Sequence, residues 1–255
     1  MALLTDGNPN DTLALESFES GILGMAAVEK IDLDAKLGLA TEEISEDVLN
    51  ILLDHTRTVD PQSNIRRNVG VSDVVVTPQM KRWHALHTLE IAYRDAFGNQ
   101  LNDRYQAKLS EYRELARQAR DVTIKFGIGL VLAPMTRAQT PALSTTAGSG
   151  AAGTYYVALS WVSGLGQEGS PSGVTAVTTA VGTELVVQPV NPPAGATGFN
   201  VYIGTSEDTL ALQTAGPVPV GQSFVLTGGL AAGRTPGDGQ VADVYVIGGS
   251  MLRRG

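Results

Sequence analysis

The chain has 255 residues, a formal net charge of −8 and no cysteine, so disulfide frameworks and thiolate metal sites are excluded. Charge is unevenly distributed: residues 1–139 hold 15 of the 18 Lys/Arg and 20 of the 26 Asp/Glu, whereas residues 140–255 hold 21 of the 29 Gly. This break predicts two domains of different fold, and the acidic balance argues against a protein that grips nucleic acid through its phosphates.

The amino-terminal residues, MALLTDGNPND, contain two acids and no basic segment followed by an apolar core. No stretch approaches the roughly 18 uninterrupted apolar residues that span a membrane. We therefore expect a soluble protein that is not exported by a cleaved signal.

Two helical segments are predicted before residue 56. Residues 13–27 have helical spacing but are interrupted by Gly21 and Gly24, which indicates a short or broken helix. A long amphipathic helix is predicted next, with one apolar face formed by Leu33, Leu37, Ala40, Ile44, Val48, Ile51 and Leu52.

A helical hairpin is predicted after a loop at residues 56–76. Thr77-Pro78 is typical of a helix start, and Gly98 with Asn99 can close that helix. A second helix begins near Asn102. Its predicted inward residues are Tyr105, Leu109, Tyr112, Leu115 or Ala116, Ala119 and Val122, and its outward cations are Arg104, Lys108, Arg113, Arg117 and Arg120.

Short strands are predicted in the rest of the chain. One covers 127–134, and further candidates are 154–162, 183–188, 198–204, 209–214, 223–227 and 241–247. The fold class is therefore α+β in two domains: a helical bundle at 1–136, a linker at 137–152 and an antiparallel, immunoglobulin-like β-sandwich at 153–255. We also expect 241–247 to pair back with 127–134, which would make the sandwich an insertion.

One glycine-rich motif matches a nucleotide-binding pattern. Residues 164–169, GLGQEG, fit GxGxxG and follow a strand. The motif also needs a following helix, and the next residues, SPSGVTAVTTA, contain Pro171, Gly173 and several β-branched residues. A hairpin loop is the favoured interpretation.

Few residues suggest catalysis. His84 and His87 lie three apart on a helix and could share a metal with Glu90, although packing or interface histidines are favoured because they flank the apolar Trp83 stripe. His55 suits a helix carboxyl end, no GxSxG elbow occurs, and acid pairs such as Glu42-Glu43 lie on a predicted solvent face. We expect no enzyme activity and no cofactor.

Basic residues are the remaining contact candidates. The cations of residues 104–125 alternate with Glu111, Glu114 and Asp121, so ion pairing within the protein is favoured over phosphate binding. The cations without an adjacent acid are the better candidates for partner contacts, and they are Arg66, Arg67, Arg253 and Arg254.

The helical segment resembles a known family. Residues 31–53 and 74–134, with the words RW, YRDAF and QLNDRY, are similar to the helical head-tail connector (adaptor or head-completion) proteins of tailed bacteriophages. Residues 153–172 and 193–213 resemble the immunoglobulin-like or fibronectin-like modules appended to phage structural proteins.

The resemblance implies a structural protein of the virion neck, at the head-tail junction, assembled in the host cytoplasm. It would form a ring, usually of twelve copies, between the portal protein and tail-side neck proteins such as a stopper, tail terminator or tail tube. DNA would pass through the lumen without specific binding, and no membrane would be involved. Trp83 and Tyr93 belong to an aromatic surplus that could supply subunit contacts.

Two alternatives remain open at this stage. The sandwich could display a glycan-binding or host-surface site while the helices only anchor it, with Tyr155, Tyr156, Trp161 and Tyr202 as aromatic candidates. The other alternative is a metalloenzyme that uses His84 and His87.

Overall fold

A computed structural model describes residues 2–58, 69–100 and 103–247. The chain divides into two compact units. The helical unit comprises Gly7–Leu132 and continues from Ala242, and the sandwich unit comprises Met1–Asp6 and Ala133–Val241. The α+β fold class predicted from the sequence, a helical bundle and an antiparallel β-sandwich, is confirmed.

The helical unit contains the helices expected from apolar periodicity. The interrupted segment forms α1 (Thr12–Glu16) and α2 (Ile22–Glu29), and Gly21 caps the start of α2. The long helix is α3 (Leu33–Thr58), and the hairpin consists of α4 (Pro78–Gln100) and α5 (Gln106–Phe126).

Helix α4 is the centre of the helical unit. It packs against α1, α2, α3 and α5, so residues on nearly every side of it are buried, including Met80, Trp83, Ala85, Leu89 and Ile91. The sequence predicted only one buried face. The helix also continues through Gly98 and Asn99, which were expected to close it.

Helix α5 is amphipathic, with a buried stripe formed by Leu109, Tyr112, Ala116, Ala119 and Thr123. Val122 was expected to face inward, but its side chain is exposed. The stripe advances by three and four residues and reaches Thr123, which leaves Val122 on the outer surface.

The predicted pairing between 127–134 and 241–247 is present. Strand β1 (Ile128–Leu130) is antiparallel to β10 (Val244–Val246), with Gly129 opposite Tyr245. On the other side of β1, the Val75 amide donates to the Gly129 carbonyl at 2.9 Å. The sandwich is therefore inserted into the helical unit, and the last strand belongs to that unit and not to the domain predicted at 153–255.

The sandwich consists of two antiparallel sheets. Their strands are β2 (Ala142–Ala147), β3 (Gly153–Ser163), β4 (Thr175–Thr179), β5 (Thr183–Gln188), β6 (Ala196–Gly204), β7 (Ala211–Leu212), β8 (Val218–Pro219) and β9 (Phe224–Leu226). One sheet has the strand order β2-β5-β9, and the other has the order β4-β3-β6-β7 with β8 beside β6. Trp161 and Phe199, with ring centroids 6.2 Å apart, lie in the core between the sheets.

Strand β2 lies inside the segment predicted as a linker. Its sequence, ALSTTA, has one large apolar residue, Leu143, which packs against the core, while five of its six residues are exposed. Small polar side chains on an edge strand give almost no alternation, so the sequence predicted a linker at 137–152 where the structure has a strand paired with β5.

Gln240 joins the two ends of the inserted segment. Its side chain is 2% exposed, its Oε1 accepts from the Met135 amide at 2.6 Å, and its Nε2 donates to the Ala133 carbonyl at 2.8 Å. The last residues of the sandwich unit are thereby fixed beside its first residues. An amide side chain serves here because it donates and accepts at once.

Replacing Gln240 by Ala would leave the Met135 amide and the Ala133 carbonyl without these partners. We expect Gln240→Ala to lower the free energy of unfolding of the sandwich unit by about 1–3 kcal/mol. Denaturant titration followed by Trp161 fluorescence, in a Trp83→Phe background so that Trp161 is the remaining tryptophan, measures this, and the exposed Gln222→Ala is the matched control. Equal stability of the two variants would contradict the role assigned to Gln240.

Candidate functional site

The sequence nominated six contact residues. Trp83 and Tyr93 lie on α4 and are only 3% and 4% exposed, so neither side chain is presented at the surface of the helical unit. Arg66, Arg67, Arg253 and Arg254 lie outside the described residues.

The aromatic side chains of the hairpin pack on each other. Tyr93 stacks on Tyr112 with ring centroids 5.3 Å apart and an interplanar angle of 9°, and it lies 6.0 Å from Tyr105. The surplus that was expected to form subunit contacts is therefore used inside the unit, because α2 covers this end of the hairpin.

Two carboxylates fasten α2 and the segment before it to α5. The Tyr105 hydroxyl donates to Glu29 at 2.7 Å, and Glu19 accepts from both the Tyr112 hydroxyl and the Lys108 ammonium at 2.7 Å. The hydrogen bond from Lys108 lowers the pKa of Glu19, although partial burial opposes it. Charge-assisted bonds of this kind fix the position of α2.

A charged groove of about 470 Å³ runs between α3 and α5 above α4. Glu43 and Asp47 line one wall, Arg113 and Arg120 line the other, and His87 lies on the floor. Arg120 Nε is 2.7 Å from Asp47 Oδ2, so the two walls are joined by an ion pair.

Four of the five cations of α5 are paired, as the sequence predicted, and the exposed Lys125 has no ion pair among the described residues. Lys108 pairs with Glu19, Arg117 with Glu114 at 2.7 Å, and Arg113 with Glu90 at 3.4 Å. Because these charges are neutralised by neighbours, the groove is a poor site for a phosphate or another anion.

His84 and His87 occupy different environments. His84 is buried: Asn10 Nδ2 lies 3.0 Å from its Nδ1, and its Nε2 lies 3.1 Å from the Leu37 carbonyl. Since the Asn10 amide donates, Nε2 carries the proton and the ring is neutral. Burial lowers the pKa of His84 to about 4.

His87 bridges two carboxylates, with Nε2 2.6 Å from Glu43 and Nδ1 3.2 Å from Glu90. Burial would lower the pKa of His87, but the hydrogen bonds to Glu90 and Glu43 outweigh it and raise that pKa. Both histidines are engaged within the unit, and no group of three or more His, Asp or Glu side chains within 2–58, 69–100 and 103–247 is arranged to hold a metal ion.

The two histidines should have opposite effects on stability against pH. Folded His84 has a lowered pKa, so only the unfolded chain binds this proton between about pH 6.5 and 4, and stability falls as the pH drops through that window. In the unsubstituted protein, His84 should lower the free energy of unfolding by about 3 kcal/mol over that range, and we expect His84→Gln to abolish this pH-dependent decrease. Urea titrations at a series of pH values measure it.

His87 has a raised folded pKa, so its contribution is complete below about pH 6.5 and disappears as the pH rises through the folded value. We expect His87→Gln to destabilise the protein more at pH 6 than at pH 8.5, the reverse of His84→Gln. Parallel pH profiles for the two variants would contradict both assignments.

The GxGxxG match forms a hairpin loop, as favoured from the sequence. The loop turns back on β3 at once: the Ser163 amide donates to the Gln167 carbonyl at 2.9 Å, Gly166 has φ +77°, and the Gly169 amide donates to the Trp161 carbonyl. No helix follows it, and β4 begins at Thr175. The phosphate-binding geometry of the motif is absent from this described segment.

Glu168 of this loop has a structural role that the sequence did not reveal. Its carboxylate accepts from Ser160, Tyr202 and Arg234, and the Arg234 guanidinium lies 5.5 Å from the Tyr202 ring centroid. The cluster holds the loop and the segment around Arg234 against the outer face of the larger sheet.

Large apolar side chains of the described helical unit are exposed on α3, at Leu49 and Leu53, and around the β1–β10 pair, at Leu132, Val244 and Tyr245, and two further groups are exposed on other helices. One lies on α1, α2 and the turn between them, and the other lies on the last turns of α5. The first contains Leu13, Phe18, Leu23 and Val28, and the second contains Val122 and Phe126. None of the described helices is long and apolar enough to cross a membrane.

No protein-family model matches the chain, and no curated protein is significantly similar to it.

Proposed function

We propose that the protein is a non-enzymatic adaptor of the neck of a tailed bacteriophage, which assembles as a ring between the portal and tail components. The helical unit builds the ring, and DNA passes through the lumen without specific binding. The sandwich is an accessory unit inserted into the helical unit.

The exposed apolar groups at separate places on the helical unit carry this proposal. A head-to-tail ring needs two different contact surfaces on each copy, whereas a two-fold dimer needs only one. Exposed large apolar side chains that cluster on a surface are a mark of protein contacts. The resemblance at 31–53 and 74–134 covers the helices that bear one of the two groups.

The electrostatics favour a conduit over a nucleic-acid clamp. The net charge is −8, and four of the five α5 cations are paired, with Glu19, Glu90, Glu114 and Asp47. A net negative charge repels the phosphates of DNA, and cations held in ion pairs release few counterions on contact with it, so both features favour a low affinity for DNA.

A virion-surface binding role for the sandwich receives less support. Trp161 and Tyr202 are buried, Tyr155 and Tyr156 are half-buried, and the described residues of the sandwich unit present no exposed aromatic side chain. Glycan sites depend on aromatic platforms that face solvent, so the surface of this unit lacks their usual contact group.

The proposal is tested with the full-length protein. Mass photometry should give one discrete oligomer, twelve copies in this proposal, and the protein should co-purify with the portal protein encoded in the same genome. A control variant, Leu165→Ser, changes an exposed side chain of the sandwich loop and should assemble normally. A monomer that binds neither portal nor tail components would contradict the proposal.

A further inference from the structure

A pocket of about 470 Å³ opens between α2 and the start of α5. Its lining residues are Gly21, Gly24, Met25, Val28, Tyr93, Arg104, Tyr105 and Lys108. It is therefore an apolar and aromatic depression with two cations in its lining.

Glycines keep this pocket open. A Cβ at Gly24 would meet nothing within 4 Å, and one at Gly21 would meet only Glu19 Oε1, at 3.7 Å. Glycine inside a helix costs about 1 kcal/mol relative to alanine. Gly24 thus occupies a helical position where a larger side chain would fit without strain. Because residue 24 has no side chain, the depression stays open.

The walls of the pocket are held in place. Tyr105 is fixed by its bond to Glu29, and Lys108 is fixed by its bond to Glu19. The Lys108 ammonium pairs with Glu19 at 2.7 Å and with Glu111 at 3.5 Å, so it leaves little positive charge for an anionic ligand. The other cation of the lining, Arg104, has its guanidinium 5.1 Å from the Tyr105 ring centroid, where it adds to an aromatic surface. An apolar or aromatic occupant suits this lining better.

Phe126 is an exposed aromatic side chain on the same unit. It is the last residue of α5, its side chain is 64% exposed, and Val122 lies one turn before it on the same face. Removing one phenylalanine side chain from water is worth about 1.5–3 kcal/mol in general, so this group gains from any apolar partner.

The Phe126 side chain is too far from its own pocket to fill it. Lys108 at the pocket and Phe126 belong to one continuous helix, and 18 residues at a rise of 1.5 Å separate them by about 27 Å. A second copy of the chain can bring the two together.

We propose that Phe126 of one copy inserts into the Gly24 pocket of the next copy, and that this contact repeats head to tail. The inference rests on the proposed ring and names its contact. The pocket and the aromatic side chain are different surfaces, so each copy uses both and the series closes by rotation. Val122 and Val28 would extend the apolar contact around the inserted ring.

Site-directed cross-linking tests the contact. The chain has no cysteine, so Val122→Cys with Val28→Cys introduces two unique thiols, one beside Phe126 and one at the rim of the pocket, where cysteine replaces a lining valine of similar size. A short bis-maleimide should convert this double variant into a ladder of covalent oligomers. The matched control, Val122→Cys with Gly38→Cys, uses a helix glycine whose Cβ would also meet nothing within 4 Å and which does not line the pocket.

Blocking substitutions in the Val122→Cys, Val28→Cys background complete the test. Phe126→Ser removes the inserted ring, and Gly24→Leu fills the pocket, so each should reduce the ladder at least about tenfold. Both changes are at exposed positions, and circular dichroism melting checks that each variant is folded. In a mixture of the two blocked chains, the Gly24→Leu chain still has Phe126 and the Phe126→Ser chain still has an open pocket. The mixture should therefore give a cross-linked product of two chains and no longer oligomers.

A ladder that survives both substitutions, or one of equal yield in the Gly38 control, would overturn the contact. A pocket that binds a small molecule instead would give no oligomer ladder, which also overturns it. Co-purification with the portal without this ladder leaves the adaptor proposal standing and removes the contact. A ladder without portal binding supports the contact and contradicts the adaptor proposal.

Discussion

The antiparallel pairing of β1 with β10 is the constraint on which the architecture depends. It joins two segments that are separated in sequence by the whole of Ala133–Val241. Closing a loop of that length costs several kcal/mol of chain entropy if the loop is unstructured. The sandwich avoids most of this cost, because its own folding places Ala133, Met135 and Gln240 side by side.

Many charged side chains of the helical unit form hydrogen bonds and ion pairs with other helices of the same unit. These pairs determine which side chains remain available for contacts with another protein. Glu19 and Glu29 hold α2, the Arg120–Asp47 pair joins α5 to α3, and His87 links Glu43 to Glu90. Surface ion pairs contribute little to stability individually, up to about 1 kcal/mol each. Their main effect here is to neutralise four of the five cations of α5, so that much of what this helix offers a partner is the apolar pair Val122 and Phe126.

Periodicity predicted the long elements well. Helices α3 and α4 and strands β3, β5 and β6 appear close to the predicted positions, because their apolar residues recur at a clear period. The sequence could not predict which helix or which other chain covers each apolar helix face. Trp83 and Tyr93 form an apolar face that another copy or another helix could cover, and the choice depends on α1 and α2, which carry a weak signal. Gln240 and Glu168 were missed because a single polar residue in a glycine-rich segment has no pattern, and β2 was missed because its residues are small.

In the ring that we propose, apolar surfaces of the helical unit, and not its charges, drive self-association. The most direct measurement is the oligomer mass by sedimentation equilibrium from about 0.05 M to about 1 M NaCl, a range over which exposed charges become fully screened. An apolar contact predicts an oligomer that persists across the range at constant protein concentration. Dissociation into monomers as salt rises, or a monomer at every salt concentration, would contradict the claim.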